Sequence, residues 1–148
     1  MLTNFKIISY CQKHKIDLDC VEMKDELPKN RCNNMIINLE SSIDGNGTHW
    51  TALLAHKNEY FFFDSFGGYP STEITKYVKQ FKPKSYGFNN FIIQNLNSEM
   101  CGWFCIALLH YVQNNKGTFY DKINDFINMF DSNTKMNDNI LKSIIKNI

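Results

Sequence analysis

Residues 101–112 read CGWFCIALLHYV, the most strongly apolar stretch of this 148-residue chain. A segment that is apolar all round predicts a helix buried on every side, and the polar residues 95–100 before it predict that the helix begins at Cys101. A thiol at a helix N-terminus is favoured as thiolate, because the helix dipole is positive there. The loop 97–100 supplies capping side chains, and Gly102 leaves room for a substrate backbone. Cys101 is therefore a candidate nucleophile.

Two other roles for the cysteines of this helix are open. In one, Cys101, Cys105 and His110 bind zinc. At about 100° per residue, however, His110 lies roughly 180° from Cys101, so the geometry argues against a metal site. In the other, Cys101 and Cys105 are inert core thiols, which is the usual fate of cysteine in an apolar helix. Cys105 lies one turn further along and is expected to be buried, so the decision about Cys101 depends on residues elsewhere.

A catalytic cysteine needs an imidazole base, and the base needs a third group that fixes its tautomer and orientation. His49 begins a predicted strand directly after a glycine-containing turn, where a side chain is held rigidly at a sheet edge. The other histidines lie on a polar helix, at a hairpin tip and within the apolar helix: His14, His56 and His110. Predicted strands over 49–55 and 59–66 form a hairpin, which brings Asp64 beside His49. These two residues are the candidate base and its orienting acid.

The remaining elements complete an α+β pattern. Helices are predicted over 2–15, 71–81, 119–130 and 139–148, and strands over 35–39 and 88–94. Loops or turns are predicted over 25–28, 45–47 and 67–70. Ser71 is the predicted cap of the helix that follows it. The chain shows no repeat or linker, and its length suits a single domain over residues 1–148.

Composition narrows the setting of the protein. A hydrophobic content of 43% allows a real core, and a net charge of +1 provides no overall attraction to nucleic acid or membrane. No signal peptide or membrane-length span is visible, and five cysteines are an odd number, so free thiols in a soluble, intracellular protein are expected. Cys20 and Cys32 receive no role. Four lysines gather around one predicted helix, where a solvated face is favoured over a DNA track: Lys76, Lys79, Lys82 and Lys84.

Three strings resemble the adenain-type proteases, the maturation proteases of adenoviruses and related DNA viruses. They are GTHW at 47–50, FDSFG at 63–67, and Gln94 placed seven positions before CGWFC at 101–105. The order His, acid, Gln, Cys is that of this family and of the related ubiquitin-like-protein proteases. With DELP at 25–28 and MND at 136–138, the chain looks closest to the proteases of virophages and Polinton-type elements. It is shorter than adenain, and Asp64 stands where adenain has Glu.

This resemblance implies a papain-like or adenain-like fold, in which a small mixed sheet packs against a central helix that carries the nucleophile, with flanking helices. It implies peptide hydrolysis through a thioester acyl-enzyme. Gln94 and the backbone N–H of Cys101 would donate to the oxyanion; for Gln94 the plain alternative is a solvent-facing strand end. Trp50 would line the site beside His49. A role as a core aromatic side chain is equally compatible with its position. Gly102 and Trp50 are thus the expected substrate-binding residues.

The implied substrates are precursors of capsid or core proteins, cut after Gly-Gly or Gly-x-Gly by a monomer in the virion and the host-cell cytoplasm. Nothing in the sequence requires a cofactor, and the family analogy allows a peptide or DNA activator. Two rival functions remain open: a protease that removes ubiquitin-like modifiers, and a catalytically inactive virion scaffold protein. The complete set of His49, Asp64, Gln94 and Cys101 argues against the scaffold.

Overall fold

A computed structural model describes residues 1–43 and 49–148. Its helices are α1 (Asn4–Lys13), α2 (Thr72–Lys79), α3 (Cys101–Asn114), α4 (Phe119–Ile127) and α5 (Asn137–Lys146), with a 3-10 turn at Thr134–Met136. Its strands are β1 (Cys20–Met23), β2 (Asn34–Asn38), β3 (Trp50–His56), β4 (Glu59–Phe63) and β5 (Ser85–Phe88). Every predicted helix is present, with ends displaced by at most three residues. The predicted turn at 45–47 lies outside the described residues.

The strands of the described segments form one mixed sheet in the order β1-β2-β3-β4-β5. The three central strands are antiparallel, whereas each edge strand is parallel to its neighbour. The predicted β3–β4 hairpin is confirmed, and His56 pairs with Glu59 at its closed end. Because β3 begins at Trp50 and β4 ends at Phe63, the residues next to them, His49 and Asp64, stand together at the open end.

Helices cover both faces of this sheet. Side chains alternate along a strand, so Ala52 and Leu54 of β3 pack on the side of α3, while Leu53 and Ala55 pack on the side of α2. Residues 104–109 of α3 are completely buried, which confirms the prediction of a buried central helix. No helix within the described part of the chain is both long and apolar enough to cross a bilayer. The result is a layered α+β fold with α3, the helix that begins at Cys101, at its centre.

The strand predicted over 88–94 is wrong. The edge strand is Ser85–Phe88, and the chain is irregular from residue 89 onward. The reason is that the loop after β4 takes up the hydrogen-bonding groups of this segment: Ile93 N and Gln94 N both donate to the Ser65 carbonyl, at 2.9 and 3.0 Å. The apolar residues 91–93 therefore belong to a loop, which is bonded to the open end of the hairpin at Ser65. The short strand β1 had no counterpart in the sequence prediction.

Candidate active site

Cys101 is the first residue of α3, and it is 2% exposed. The Trp50 backbone N–H donates to its sulfur at 3.4 Å, so the start of β3 and the start of α3 meet at this atom. The predicted side-chain cap is wrong for the N-cap residue, Met100, which has no capping side-chain bond. Instead, Ser98 accepts a hydrogen bond from the Met100 backbone N–H at 3.1 Å. The predicted position of the thiol at a helix N-terminus is nevertheless confirmed.

His49 and Asp64 form a close pair at the open end of the hairpin. His49 Nε2 lies 2.6 Å from Asp64 Oδ1, and the Asp64 residue is only 3% exposed. The other ring nitrogen, Nδ1, is buried and has no hydrogen-bond partner among the described residues. A buried polar nitrogen without a partner is uncommon and marks a site where function sets the geometry. Since Asp64 holds Nε2, Nδ1 is the nitrogen available to Cys101.

The charges of the site favour an ion pair between thiolate and imidazolium. Burial lowers the pKa of His49, but the hydrogen bond and charge of Asp64, together with the nearby Cys101, outweigh it and raise this pKa to about 9. Burial likewise raises the pKa of Cys101, but the interaction with His49 and the N–H groups of Trp50 and Gly102 outweigh it, so this pKa is lowered. The lowered pKa of Cys101 and the raised pKa of His49 together favour a negative sulfur and a positive ring.

Other thiols of the chain behave in the opposite way. Burial raises the pKa of Cys11 to about 11, and burial with the nearby Cys32 raises that of Cys20 to about 12. Cys105 is completely buried, and desolvation raises its pKa well above the ordinary value. A thiol of this kind is a poor nucleophile near neutral pH. The environment therefore separates Cys101 from Cys105, although both lie on the same helix.

The pH dependence of alkylation tests this ion pair. We expect iodoacetamide to modify Cys101 with a midpoint below the pKa of an ordinary thiol. In His49→Ala the attraction is removed while burial remains, so the midpoint should move upward. Peptide mapping of the modified protein, with Cys11 as the internal unreactive control, gives the rate at each site. Identical pH profiles for wild type and His49→Ala would contradict the ion pair.

The loop that carries Asp64 is fixed by several hydrogen bonds. Its carboxylate accepts from the Phe66 N–H at 2.9 Å and the Gly68 N–H at 3.2 Å. The buried Asn89 side chain accepts from the Asp64 N–H at 3.0 Å and donates to the Asp64 carbonyl at 2.6 Å. The Phe66 ring stacks on the His49 imidazole with centroids 4.8 Å apart. Acid and base are therefore oriented by neighbours as well as by each other.

Sequence reasoning did not assign roles to Phe66 and Asn89. Phe66 lies within the quoted FDSFG string, so its place in the motif was the available signal. Asn89 is 25 residues from Asp64 and lies in the segment wrongly predicted as a strand. No local pattern indicates that its side chain returns to the backbone of the acid.

Gly67 gives a stability test of this loop. It has φ +74, and a Cβ atom there would lie 2.6 Å from the Phe91 carbonyl carbon. We expect Gly67→Ala to lose at least about 2 kcal/mol in urea unfolding, because left-handed strain and a backbone clash add. The same change should displace Asp64 and raise the midpoint of Cys101 alkylation.

The matched control is Gly117→Ala. Gly117 also has positive φ, at +131, but its added Cβ would meet only Lys122 Cγ, at 3.5 Å. It should lose stability through strain alone and leave Cys101 alkylation unchanged. Equal alkylation profiles for the two variants would show that the close approach of Gly67 to Phe91 does not position the acid.

Gln94 is completely buried and lies outside any strand, so the alternative of a solvent-facing strand end is wrong. Its side-chain carbonyl accepts from Ser65 Oγ at 2.5 Å. Its amide nitrogen donates to the Ser98 carbonyl at 2.9 Å and lies 3.3 Å from Ser98 Oγ. These partners fix the orientation of the amide, because exchanging oxygen and nitrogen would set two carbonyl oxygens against each other. Its donation to an oxyanion stays a prediction.

Trp50 and Gly102 pack against the start of the chain. Trp50 is 3% exposed, and its indole N–H donates to the Leu2 carbonyl at 2.8 Å. A Cβ atom at Gly102 would lie 3.1 Å from Leu2 Cδ1 and 3.2 Å from Trp50 Cδ1. The absence of a side chain at Gly102 therefore allows close packing with Leu2 and Trp50. Their predicted contacts with substrate remain untested by these distances.

A metal centre finds no support among residues 1–43 and 49–148, where no group of three or more His, Cys, Asp or Glu side chains could hold an ion. Cys101, Cys105 and His110, the zinc set weighed from the sequence, form no such group.

No known family model matches this chain, and no curated protein matches it. Solved structures do resemble it, and two of them are of one protein. A crystal structure of the selenomethionine form of the African swine fever virus (ASFV) pS273R protease matches with a TM-score of 0.60 at 15% identity, over 95% of this chain and 65% of that chain. Another crystal structure of the ASFV pS273R protease gives 0.57 at 16% identity, over 95% and 66%.

The similarity at this low identity establishes the fold. The chain has the mixed α+β architecture of the ASFV pS273R protease structures, which confirms the predicted fold class. It spans just under two thirds of the length of those structures. The narrower likeness to adenoviral or virophage proteases stays a prediction.

Proposed function

We propose that this protein is a cysteine endopeptidase. The observation that carries the proposal is the His49 imidazole, which is held by Asp64 through Nε2, is buried and unpartnered at Nδ1 among the described residues, and lowers the pKa of Cys101. A nucleophile, a base and an orienting group in this relation define nucleophilic acyl transfer. The likeness to a viral protease fold supports the same reaction class.

In the proposed mechanism, the Cys101 thiolate attacks the peptide carbonyl carbon, and a C–S bond forms. The tetrahedral oxyanion then collapses, the C–N bond breaks, and His49 gives its Nδ1 proton to the leaving amine. Water next attacks the thioester while His49 accepts its proton, and the C–S bond breaks to release the acid and restore the thiolate. Asp64 stabilises the imidazolium throughout and keeps its own negative charge.

Gln94 and the Cys101 backbone N–H are the proposed donors to the oxyanion. The backbone N–H lies at the positive end of α3, and the buried Gln94 amide is held in one orientation by Ser65 and Ser98. Donors that are fixed before the reaction stabilise the developing charge without reorganisation. Rigidity of the Gln94 side chain therefore supports this assignment.

The proposed substrates are precursors of viral capsid or core proteins, cut after Gly-Gly or Gly-x-Gly sequences. This specificity comes from the resemblance to adenain-type proteases and agrees with a fold shared with a viral protease. The Phe66 ring stacks on the His49 imidazole, and an aromatic ring at this place favours a substrate whose backbone carries no side chain near the cleaved bond.

A two-part experiment tests the function and its substrates. Wild type and Cys101→Ala are incubated with a library of capsid-precursor peptides, and separately with a ubiquitin-like vinyl sulfone. We expect cleavage after glycine pairs by wild type alone, with Ala at the glycine nearest the bond lowering kcat/KM by at least ~10-fold. A covalent adduct without precursor cleavage would favour removal of ubiquitin-like modifiers. The absence of both reactions in folded protein would favour the inactive scaffold.

A further inference from the structure

The loop between Gln94 and Cys101 is tied to α5 by one hydroxyl group. Ser98 Oγ donates to Asp138 Oδ1 at 2.9 Å, and Asp138 lies in the first turn of α5. The same oxygen accepts from the Met100 backbone N–H at 3.1 Å and lies 3.3 Å from Gln94 Nε2. Three groups, from the loop that precedes Cys101 and from α5, therefore meet at Ser98 Oγ.

The direction of these hydrogen bonds follows from the chemistry of the groups. A serine hydroxyl has one proton to donate and two lone pairs that accept. Asp138 takes the proton, because a carboxylate only accepts. Both lone pairs of Ser98 Oγ are then directed at the donors Met100 N–H and Gln94 Nε2. Without the carboxylate, the hydroxyl could rotate and turn its proton toward one of these donors.

We propose that Ser98 and Asp138 are positioning residues for oxyanion stabilisation, holding the Gln94 amide and the peptide that precedes Cys101. This proposal rests on the proposed function. Gln94 is one of the two proposed donors: the carbonyl and Oγ of Ser98 share one of its two Nε2 protons, which leaves the second proton for the oxyanion. The hydrogen bond from Met100 N–H to Ser98 Oγ holds the residue whose peptide supplies the other donor, the Cys101 N–H. A single hydroxyl thus sets the spacing between both donors.

A second bond from α5 fixes the beginning of the same segment. The completely buried Asn137 donates to the Ile93 carbonyl at 2.7 Å and to the Asp131 carbonyl at 2.8 Å, and it accepts from the Asp131 N–H at 2.8 Å. The start of α5 therefore holds the residues immediately before Gln94 as well as Ser98. Residues 93–100, which we call the donor loop, are therefore held by the start of α5 at two points, Ile93 and Ser98.

The test separates oxyanion chemistry from thiolate reactivity. Acylation of Cys101 by p-nitrophenyl acetate develops an oxyanion and does not depend on a peptide cleft, whereas alkylation by iodoacetamide displaces iodide and develops none. We expect Ser98→Ala and Asp138→Ala to lower the rate constant of the acylation burst by about 10- to 100-fold. This loss is smaller than the ~10²–10³-fold loss of rate for removing a donor itself. Alkylation of Cys101 and its pH midpoint should stay at wild-type values.

Conservative and control variants complete the design. Ser98→Thr keeps the hydroxyl and should restore the burst, and Ser143→Ala, an exposed serine on α5, should match wild type. Urea unfolding measured on each variant identifies any that lose the fold, and Asp138→Ala tests the proposal if Ser98→Ala is such a case. Wild-type bursts in both variants would overturn the proposal, as would a parallel loss of acylation and alkylation.

Wild type and Cys101→Ala test the proposed function separately from the positioning role. Absence of a burst from wild type, or an undiminished burst from Cys101→Ala, would overturn the assignment of Cys101 as nucleophile. A normal Cys101-dependent burst that is insensitive to Ser98 and Asp138 would overturn the positioning role alone.

Discussion

Cys101→Ala is expected to abolish peptide hydrolysis, with a loss on the order of 10⁶-fold in kcat, because no other group can form the thioester. The fold should remain, since the hydrogen bond from the Trp50 N–H to this sulfur is long, at 3.4 Å. Hydrolysis of a precursor peptide and urea unfolding measure the two effects separately. Wild-type stability together with complete inactivity is the expected combination.

Cys105→Ala is the matched control on the same helix. Cys105 is completely buried in the core, and its truncation should cost roughly 1–3 kcal/mol of stability while hydrolysis by the folded fraction continues. Cys101→Ala is therefore expected to lose hydrolysis, and Cys105→Ala is expected to lose stability. An active Cys101→Ala beside an inactive Cys105→Ala would show that the nucleophile is assigned to the wrong turn of α3.

His49→Ala should be nearly as damaging as loss of the thiol, because the ring both stabilises the thiolate and protonates the leaving amine. Asp64→Asn should lose less, about 10⁴-fold or below, because the acid orients the base and makes no bond to substrate. Hydrolysis by wild type should also fall as pH rises through about 9, where His49 loses its proton. The rate measured from low to high pH for each variant checks this order.

Controls for this series come from residues of the same type. His56→Ala removes an exposed imidazole at the closed end of the hairpin, and Asp125→Asn changes an exposed carboxylate on α4. Both should retain full activity. Full activity of Asp64→Asn at every pH would contradict a catalytic role for Asp64. A wild-type rate in His49→Ala would likewise contradict a catalytic role for His49.

The central elements of the fold were predictable because their signals are local. Residues 101–112 are apolar at nearly every position, and strands 49–55 and 59–66 are separated by a turn too short for any connection other than a hairpin. Cys101, His49 and Asp64 could be placed from these elements alone, since each stands at an end of one. The geometry that pairs His49 with Asp64 then follows from antiparallel pairing.

The parts of the fold and site that the sequence did not predict depend on contacts between distant parts of the chain. Residues 91–93 form a loop because Ser65 and Asn137 bind the backbone N–H and carbonyl of Ile93, and neither residue is near it in sequence. The edge strand β1 is only four residues long and half-buried throughout, so it lacks an alternating pattern. The support of the donor loop by Ser98 and Asp138 spans 40 residues and has no sequence period.

The order of elements along the chain has a consequence for synthesis on the ribosome. The hairpin that carries His49 and Asp64 is complete by residue 64, but the thiol lies on α3 and the donor loop is fastened by α5. A nascent chain that ends before α5 therefore lacks the groups that hold the loop before Cys101. Since domains acquire structure as units during translation, acyl-transfer activity should arise abruptly once α5 has left the exit tunnel.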